Sequence, residues 1–494
     1  MPLYAGLDIG TNGARLVVLD YMFTIKYQNE LFYQTYSPAE GRAEQDPEEI
    51  YQATYNLLKE MLSLFPDEKI YITFSSVMHS IMGVNNKGDI MTPLIIWADT
   101  RASEECIFLE KNYGIAEFYR NTACPLHSAY CPAKICWLKK NVSEDIAKYV
   151  SIKEYILYRL TGLWKADYGI ASTSGIYNPL INDYHNSILE ILNIDRNSMS
   201  ELVPTNYSFD FSINGKTLYG IIGSTDGPLA NLGSGAVEEG SIVLTAGSSS
   251  AVRFISSDVI LDDEAKVWNY VLDKDFYILG EATNGAGIIL NWLAEVFEYT
   301  SAEDMISRNI SSLPYDISNL FSLPTMMGER GPGYNESIRG LYYGLTLNHK
   351  RQDMVVSLYE SIAFFLRMVL AYVTRILKRP GKQIILTGGL GTSPLFRELL
   401  SYLFDVPLFY LAGYEQSTAL GAAMLARKEV ENLNYDEQVK LLPDAKEIDI
   451  EKDDLFKKKL LDKYESFVRL YNNLPSIEDS LNGDFLIQVN ERGD

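Results

Sequence analysis

The sequence of 494 residues is poor in cysteine and histidine, with four of each, and it has a deficit of positive charge. The four cysteines contain no Cys-x-x-Cys pair, which argues against a zinc site or a disulfide framework and favours reduced, partly buried thiols. Lys and Arg number 43 against 65 Asp and Glu, so the net charge is −22. Such a chain repels both a nucleic-acid backbone and an anionic membrane surface. We therefore expect no nucleic-acid partner and no membrane partner.

The sequence also lacks long apolar runs. No uncharged run approaches the ~18 residues that a membrane helix needs. The first residues, Met1-Pro2-Leu3-Tyr4, have neither the basic nor the apolar segment of a signal peptide, so we expect a cytoplasmic protein. Apolar residues make up 47% of the chain and charged residues 22%, which is typical of a globular protein of two or three domains.

One order of predicted elements occurs twice along the chain. In the first half, a hairpin over 4–20 precedes a helix over 46–65 and a strand over 69–75. In the second half, strand, turn and strand over 240–254 precede a long helix over 353–378 and a strand that enters a glycine-rich loop over 383–391. This repetition predicts a duplicated α/β domain with a cleft between the copies. We place the domains at 1–236 and 237–494, with C-terminal helices from about residue 432.

Two equivalent turns are candidates for phosphate binding. Asp8-Ile9-Gly10-Thr11-Asn12-Gly13 and Thr245-Ala246-Gly247-Ser248-Ser249-Ser250 both combine small residues with hydrogen-bond donors. Glycine lets the backbone approach phosphate oxygens closely, and Thr11, Asn12 and Ser248 add side-chain donors. Asp8 could hold a Mg²⁺-bound water. Either motif alone could equally be an ordinary hairpin turn, but two of them facing each other would form a two-sided phosphate clamp.

Two further segments have a functional and a structural interpretation. Gly388-Gly389-Leu390-Gly391-Thr392-Ser393 could form a backbone-lined slot for a nucleoside, or a loop that needs positive φ. It is neither a Walker loop nor a dinucleotide fingerprint. Asp226, in Ile222-Gly223-Ser224-Thr225-Asp226-Gly227-Pro228, could accept a proton from an attacking hydroxyl at a strand end. Its structural interpretation is an Asx-turn or a helix N-cap.

A third group of residues fits a polyol. Met78-His79-Ser80, then Trp97, Asp99 and Arg101, and finally His127 combine directed hydrogen-bonding groups with an aromatic face. Taken singly, His79 and Trp97 could also be core residues.

These motifs together resemble the FGGY family of carbohydrate kinases over roughly residues 3–430. Asp8-Ile9-Gly10-Thr11 resembles the family's first phosphate motif and Gly247-Ser248-Ser249 its second, with Ser248 where the family usually has Thr. Gly388-Gly389 and the segment Glu415–Ala423 resemble the adenosine-side elements, Asp226 falls on the catalytic base, and Gly328–Pro332 matches another family segment. The resemblance implies two ribonuclease H-like domains of the actin, hexokinase and Hsp70 type, with ATP and sugar meeting in the interdomain cleft. It also suggests a homodimer.

Within the family, the resemblance is to the gluconate-phosphorylating members. It is carried by Met78-His79-Ser80 and by four further segments: Thr92–Ala102, Cys124–His127, Lys153–Ile156 and Asn284–Gly287. The chain departs from their pattern after His127, where Ser128-Ala129 replaces Pro-Met.

The resemblance implies transfer of the γ-phosphoryl of ATP to the terminal hydroxyl of a sugar acid. Asp226 would be the base and Asp8 would position Mg²⁺ through water. The remaining residues would bind ATP (Thr11, Asn12, Gly247, Ser248, Gly287, Gly388, Gly389, Ser393) or the sugar acid (Met78, His79, Trp97, Asp99, His127). The substrate carboxylate would be met by donors such as His127 or Arg101.

Three alternatives remain at this stage. A xylulose kinase or another polyol kinase would share the phosphate motifs. An actin-like switch ATPase would use the same architecture with water as acceptor. A non-catalytic sugar sensor is disfavoured because Asp8 and Asp226 are both present.

Overall fold

The computed structural model describes residues 2–142, 145–313, 315–335, 338–378, 381–411, 417–442 and 445–482, without the side chains of 474–482. The strands are β1 (Leu3–Ile9), β2 (Gly13–Leu19), β3 (Ile25–Phe32), β4 (Glu44–Gln45), β5 (Ile70–Ser76), β6 (Met82–Val84), β7 (Leu94–Ile95), β8 (Lys148–Val150), β9 (Lys165–Asp167), β10 (Tyr177–Asn178), β11 (Asp183–Tyr184), β12 (Glu201–Val203), β13 (Ser208–Ile213), β14 (Lys216–Ile221), β15 (Ser241–Ala246), β16 (Ser250–Ser256), β17 (Trp268–Val271), β18 (Tyr277–Thr283), β19 (Phe321–Leu323), β20 (Leu341–Tyr343), β21 (Gln383–Thr387), β22 (Leu408–Tyr410) and β23 (Lys446–Glu447). The α-helices are α1 (Pro47–Leu64), α2 (Ser103–Asn112), α3 (Ile115–Thr122), α4 (Cys131–Asn141), α5 (Ile152–Thr161), α6 (Tyr168–Ser172), α7 (Asn186–Leu192), α8 (Asp226–Gly233), α9 (Gly287–Val296), α10 (Ala302–Asn309), α11 (Arg351–Leu377), α12 (Gly389–Thr392), α13 (Pro394–Leu403), α14 (Ser417–Glu431), α15 (Tyr435–Val439) and α16 (Asp454–Asn482).

Two sheets carry the duplication that the sequence predicts. The first has the strand order β13-β14-β5-β1-β2-β3 and the second β17-β18-β16-β15-β21-β22-β23. In each sheet the central strand pairs antiparallel with the strand that follows it, and parallel with a later strand. The outer pairs β2–β3 and β16–β18 are antiparallel, whereas β5–β14 and β21–β22 are parallel. The two halves therefore share one five-strand topology, and the predicted duplicated α/β fold is confirmed.

The apolar pattern of the sequence explains the layers around each sheet. Every residue of β1 is buried, as expected of a central strand covered on both faces. Helix α1 begins after the N-cap Asp46, whose side chain accepts a hydrogen bond from the Glu48 amide, and its apolar stripe packs on the first sheet. Helix α11 covers the second sheet and, alone among the described helices, is long and apolar enough to cross a membrane by length and composition. Since 78% of its most apolar stretch is buried inside the protein, it is a core helix.

The two halves meet where helices α8 and α14 cross with almost no space between their backbones. A Cβ atom added to Gly233 of α8 would lie 1.8 Å from the Ser417 carbonyl oxygen, and one added to Gly421 of α14 would lie 2.0 Å from that of Leu229. Helix α14 also rests on the central strand of the first sheet, where a Cβ on Gly6 would lie 1.7 Å from the Ala419 oxygen. Thus α14 follows strand β22 of the second sheet in the chain but packs against the first sheet, in a core that also contains Trp268 and Ile278 of the second half.

The predicted division at residue 236 falls between the last strand of the first sheet and the first strand of the second. The C-terminal helices expected from about 432 are α15 and α16, and Phe456, Leu460 and Phe467 of α16 pack in the core that contains α11. Residues 483–494 of the second predicted domain lie outside the described residues. The described cysteines are free thiols, two of them buried (Cys124, Cys131) and two partly buried (Cys106, Cys136).

Candidate active site

The main cavity, of about 520 Å³, lies between the two sheets and takes its lining from both halves of the chain. Nine of the residues singled out from the sequence line it: Thr11, Asn12, Met78, His79, Trp97, His127, Asp226, Gly247 and Ser248. The structure therefore brings both candidate phosphate turns, the candidate base and most of the candidate polyol residues to one place.

The two candidate phosphate turns face the cavity from opposite sheets. The first joins β1 to β2 and is closed by the Gly10 amide, which donates to the Gly13 oxygen. The Trp97 indole N–H donates to Thr11 Oγ1 over 3.1 Å and so fixes that side chain. The second turn joins β15 to β16, and the Gly287 and Ile288 amides at the start of α9 donate to the oxygens of Gly247 and Ser248. Helix α9 thus holds the backbone of the second turn.

Asp226 is the first residue of helix α8, five residues beyond β14, rather than at a strand end as predicted. Its Oδ1 accepts a hydrogen bond of 2.9 Å from the Gly227 amide. Burial, followed by the nearby negative charge of Asp8, raises the pKa of Asp226 to about 7, while the Arg253 guanidinium opposes this shift. A carboxylate with a pKa near neutrality is well matched to general-base chemistry.

Asp8 is buried near the end of β1, behind the first turn. Ser75 Oγ donates to its Oδ1 over 2.9 Å, and burial raises its pKa. It is absent from the lining of the cavity but close enough to influence Asp226.

Within the described residues no cluster of three or more His, Cys, Asp or Glu could ligate a metal directly. One or two carboxylates beside a phosphate site do suit Mg²⁺, which keeps several waters and is bound largely through substrate phosphates. Asp8, close to Asp226, therefore fits a water-mediated Mg²⁺ site.

His79 stands in the cavity wall as a neutral imidazole. Burial lowers its pKa to about 3, and Arg330, the second contributor, lowers it further. Its Nδ1 lies 2.7 Å from the Thr173 carbonyl oxygen, which only accepts, so Nδ1 carries the proton. The Nε2 of His79 is consequently a hydrogen-bond acceptor, suited to a sugar hydroxyl.

His127 has the opposite tautomer. Its Nδ1 accepts from the Ala129 amide over 3.0 Å, so in the neutral ring Nε2 carries the proton and is a donor. The ring meets Tyr334 edge-on, with centroids 6.3 Å apart. Both histidines line the cavity, and Nε2 is thus a hydrogen-bond acceptor in His79 and a donor in His127.

Two of the predicted substrate contacts must be corrected. The buried carboxylate of Asp99 accepts from the Ala43 amide over 2.6 Å and pairs with Arg101. Arg101 also pairs with Glu44 over 2.6 Å. Neither residue lines the cavity, and each satisfies the charge of the other. The pair joins the segment that follows Trp97 to the segment that carries Ala43 and Glu44.

The remaining candidates on the nucleotide side, Gly388, Gly389 and Ser393, are not in the lining of the cavity. Gly388 has φ of 87°, and a Cβ there would lie 2.5 Å from the Ala246 oxygen, so it packs beneath the second turn. Gly389 begins the short helix α12, where the sequence predicted a loop, and has open space beside it. Ser393 caps α13 by accepting from the Phe396 amide, so its hydroxyl has a structural contact that the sequence did not indicate. Glu415 and Gln416 lie outside the described residues.

Sequence reasoning assigned no role to several residues that line the cavity, notably Arg253 and Arg330, and also Tyr130, Trp268, Tyr270, Asn284 and Tyr334. Arg253 donates to Thr245 Oγ1 over 2.8 Å. The guanidinium of Arg330 donates from Nε to Asn284 Oδ1 over 2.8 Å and lies 5.1 Å from the centre of the Trp97 ring. Neither arginine forms an ion pair with a carboxylate in the part of the chain that the structure describes. The Gly328-Glu329-Arg330 motif was the only available signal for Arg330.

Family models match both halves of the chain. The N-terminal domain of the FGGY family of carbohydrate kinases matches residues 3–222, and its C-terminal domain matches residues 242–428. The chain belongs to the FGGY family of carbohydrate kinases. This FGGY kinase is therefore an ATP-dependent sugar phosphotransferase of two domains with the actin- and hexokinase-like fold.

Individual relatives include enzymes for different sugars. A gluconokinase of Bacillus subtilis is 31% identical over 445 residues, which cover 85% of this chain and 86% of the relative. A xylulose kinase of Staphylococcus xylosus is 26% identical over 86% of this chain and 90% of its own length. Among solved structures, gluconate kinase from Lactobacillus acidophilus superimposes with a TM-score of 0.87 at 26% identity, covering 96% of this chain and 98% of that one. A ligand-bound xylulose kinase from the same organism has the same TM-score and identity, covering 96% and 99%.

Proposed function

We propose that this FGGY kinase transfers the γ-phosphoryl group of MgATP to the terminal hydroxyl of D-gluconate, giving 6-phosphogluconate and ADP. The observation that carries the reaction type is the position of Asp226. Its carboxylate, with a pKa near 7, lines the cavity that the two small-residue turns enter from opposite sheets.

In this reaction the substrate hydroxyl oxygen attacks the γ-phosphorus while Asp226 accepts its proton, and the bond from phosphorus to ADP breaks. Thr11, Asn12, Gly247 and Ser248 hold the phosphates with hydroxyl, amide and backbone donors. Mg²⁺ would neutralise charge on the phosphates, with Asp8 oriented towards one of its waters. Positioning and charge neutralisation supply most of the rate enhancement, because phosphoryl transfer needs little covalent help from the protein. The dependence on ATP implies a cytoplasmic enzyme.

The choice of an acidic acceptor is supported by the charges in the cavity. Gluconate brings a carboxylate whose desolvation must be offset by cationic or N–H donors. Arg253 lies beside Asp226, at the phosphoryl-transfer end. Arg330 lies against Trp97, is close enough to His79 to lower its pKa, and is also within electrostatic reach of Asp226. Arg330, with the Nε2–H of His127, is thus the donor pair that the proposal assigns to the carboxylate. The 31% sequence identity with the gluconokinase of Bacillus subtilis supports the same choice of substrate.

We expect a panel of acceptors to rank gluconate first. The measurement is ADP release in a coupled assay with gluconate, xylulose, ribulose, glycerol, fuculose and no acceptor. Gluconate should exceed each neutral sugar at least about tenfold in kcat/KM, since one lost charge-assisted interaction costs about 1.5–3 kcal/mol. A preference for xylulose would replace the sugar-acid assignment with that of a pentulose kinase. Full-rate ATP hydrolysis without acceptor would favour a switch ATPase.

The variant Arg330→Gln is expected to raise the KM for gluconate about 10–100-fold, because it removes the charge opposite the carboxylate. The KM for a neutral sugar that the enzyme accepts weakly provides the internal control and should change by less than about threefold. An equal loss of kcat with both kinds of acceptor would instead place Arg330 at the transferred phosphoryl group.

A further inference from the structure

A lysine that does not line the cavity contacts two of its walls from behind. Lys134 lies in α4 and is 0% exposed. Its Nζ donates to the His79 carbonyl oxygen over 2.8 Å and to the Ile96 carbonyl oxygen over 2.9 Å. It forms no ion pair with any carboxylate among the described residues, and burial lowers its pKa to about 8. Burying such a group is costly, so the contacts it makes must contribute to the native state in return.

The two carbonyl groups belong to the segments that present the acceptor site. The first segment follows β5 and carries Met78 and His79, and the second follows β7 and carries Trp97. His79 has φ of 60°, in the left-handed region that residues with side chains rarely adopt, so its backbone conformation needs support from neighbouring contacts. The Thr173 carbonyl fixes the ring of His79, and Lys134 fixes its backbone.

We infer that Lys134 is a positioning residue of the acceptor site, whose Nζ fixes the His79 wall of the cavity against the Trp97 wall, next to the point where Ile81 and Ile95 pair through their backbones. The inference rests on the proposed assignment of these walls to the acceptor. Lys134 itself touches neither substrate. Its removal would leave the His79 carbonyl oxygen without this donor and the Ile96 carbonyl oxygen with the Asp99 amide alone. The backbone pairing of Ile81 with Ile95 would still join the two segments, so we expect a local shift of the His79 backbone. The backbones of the phosphate turns have hydrogen bonds of their own and would stay in place.

The test is steady-state kinetics of the full-length variant Lys134→Met with whichever acceptor the wild type phosphorylates best. We expect kcat/KM for the acceptor to fall about 100-fold, as a misplacement of about 1 Å in a reacting geometry does, while the KM for ATP stays within threefold. Because the acceptor is chosen by measurement, a failure of the gluconate assignment does not affect this test.

The matched control is Lys139→Met on the same helix. Lys139 Nζ also donates to two carbonyl oxygens, those of Leu192 and Asn193, but away from the cavity. This control should leave all kinetic constants within twofold. If Lys134→Met does not fold, Lys134→Gln keeps N–H donors on a shorter side chain and should show the same split in a milder form. Unchanged acceptor kinetics, or equal losses for acceptor and ATP, in either folded variant would overturn the inference.

Discussion

Replacing Asp226 with asparagine is expected to lower kcat roughly 10²–10⁴-fold and to leave ATP binding nearly unchanged. Asparagine keeps the size of the side chain and the oxygen that accepts from the Gly227 amide, but it cannot take the proton of the attacking hydroxyl. The phosphate turns around Thr11 and Gly247 do not depend on this residue. The measurement is kcat with saturating acceptor, together with the affinity for ADP by calorimetry.

The wild-type enzyme supplies a control for the same prediction. Because the pKa of Asp226 is raised to about 7, the ionised base predominates above that pH, and kcat/KM should rise as the pH passes upwards through 7. In the variant Asp226→Asn, this rise of kcat/KM with pH should be absent. A near-normal kcat in the variant, with the rise retained, would refute Asp226 as the base.

Stability gives a second control on Asp226→Asn. The pKa in the folded protein lies above the ordinary value of 3.8, so the native state binds the proton more tightly and loses stability as the pH rises from about 4 to 7. Asparagine removes this penalty. The variant should therefore be at least as stable as the wild type at pH 8, so that lost activity reflects lost chemistry rather than unfolding.

Replacing Lys153 with methionine is expected to reduce the free energy of unfolding by about 3–5 kcal/mol, the second large effect. Lys153 and Asp167 form an ion pair of 2.7 Å in which both side chains are 0% exposed. Lys153 Nζ also donates to the Ser224 carbonyl oxygen over 2.9 Å, two residues before Asp226. The substitution leaves Asp167 as an uncompensated buried charge, and denaturant titration with circular dichroism measures the loss.

Two further variants separate charge from packing. Adding Asp167→Asn to Lys153→Met removes the uncompensated charge and keeps the Oδ1 acceptor that caps α6, so it should recover at least half of the loss. Lys165→Met breaks the surface pair with Glu201 and should cost no more than about 1 kcal/mol. If Lys153→Met cost as little as Lys165→Met, the buried pair would contribute nothing beyond an exposed one.

The sequence predicted the elements whose signals are local. The spacing of apolar residues and the turn residues predict the hairpin of β1 and β2, the start of α1 at Asp46 and the repeated order of elements around β15. The structure contains all three. The turns at Thr11 and Gly247 could be paired across a cleft because each follows the central strand of its own half.

The residues that sequence reasoning missed or misplaced depend on contacts between distant segments. Asp99 looked available for a polyol, but only the tertiary structure turns it towards the Ala43 amide and Arg101. Nothing near Arg253 in the chain shows which face of β16 meets the cavity. Lys134 could not have been identified either, because its two partners lie 55 and 38 residues away.

The backbone contacts of α14 bear on how the chain is made. Strand β1 and its neighbours leave the ribosome long before Ser417–Glu431 have been translated, so one face of the first sheet waits for a helix that is not yet synthesised. During that interval the nascent chain exposes the apolar surface of the sheet at Gly6, against which α14 later packs. The first half should therefore reach its native packing only after nearly the whole polypeptide has emerged, which makes folding of the two halves a single event rather than two successive ones.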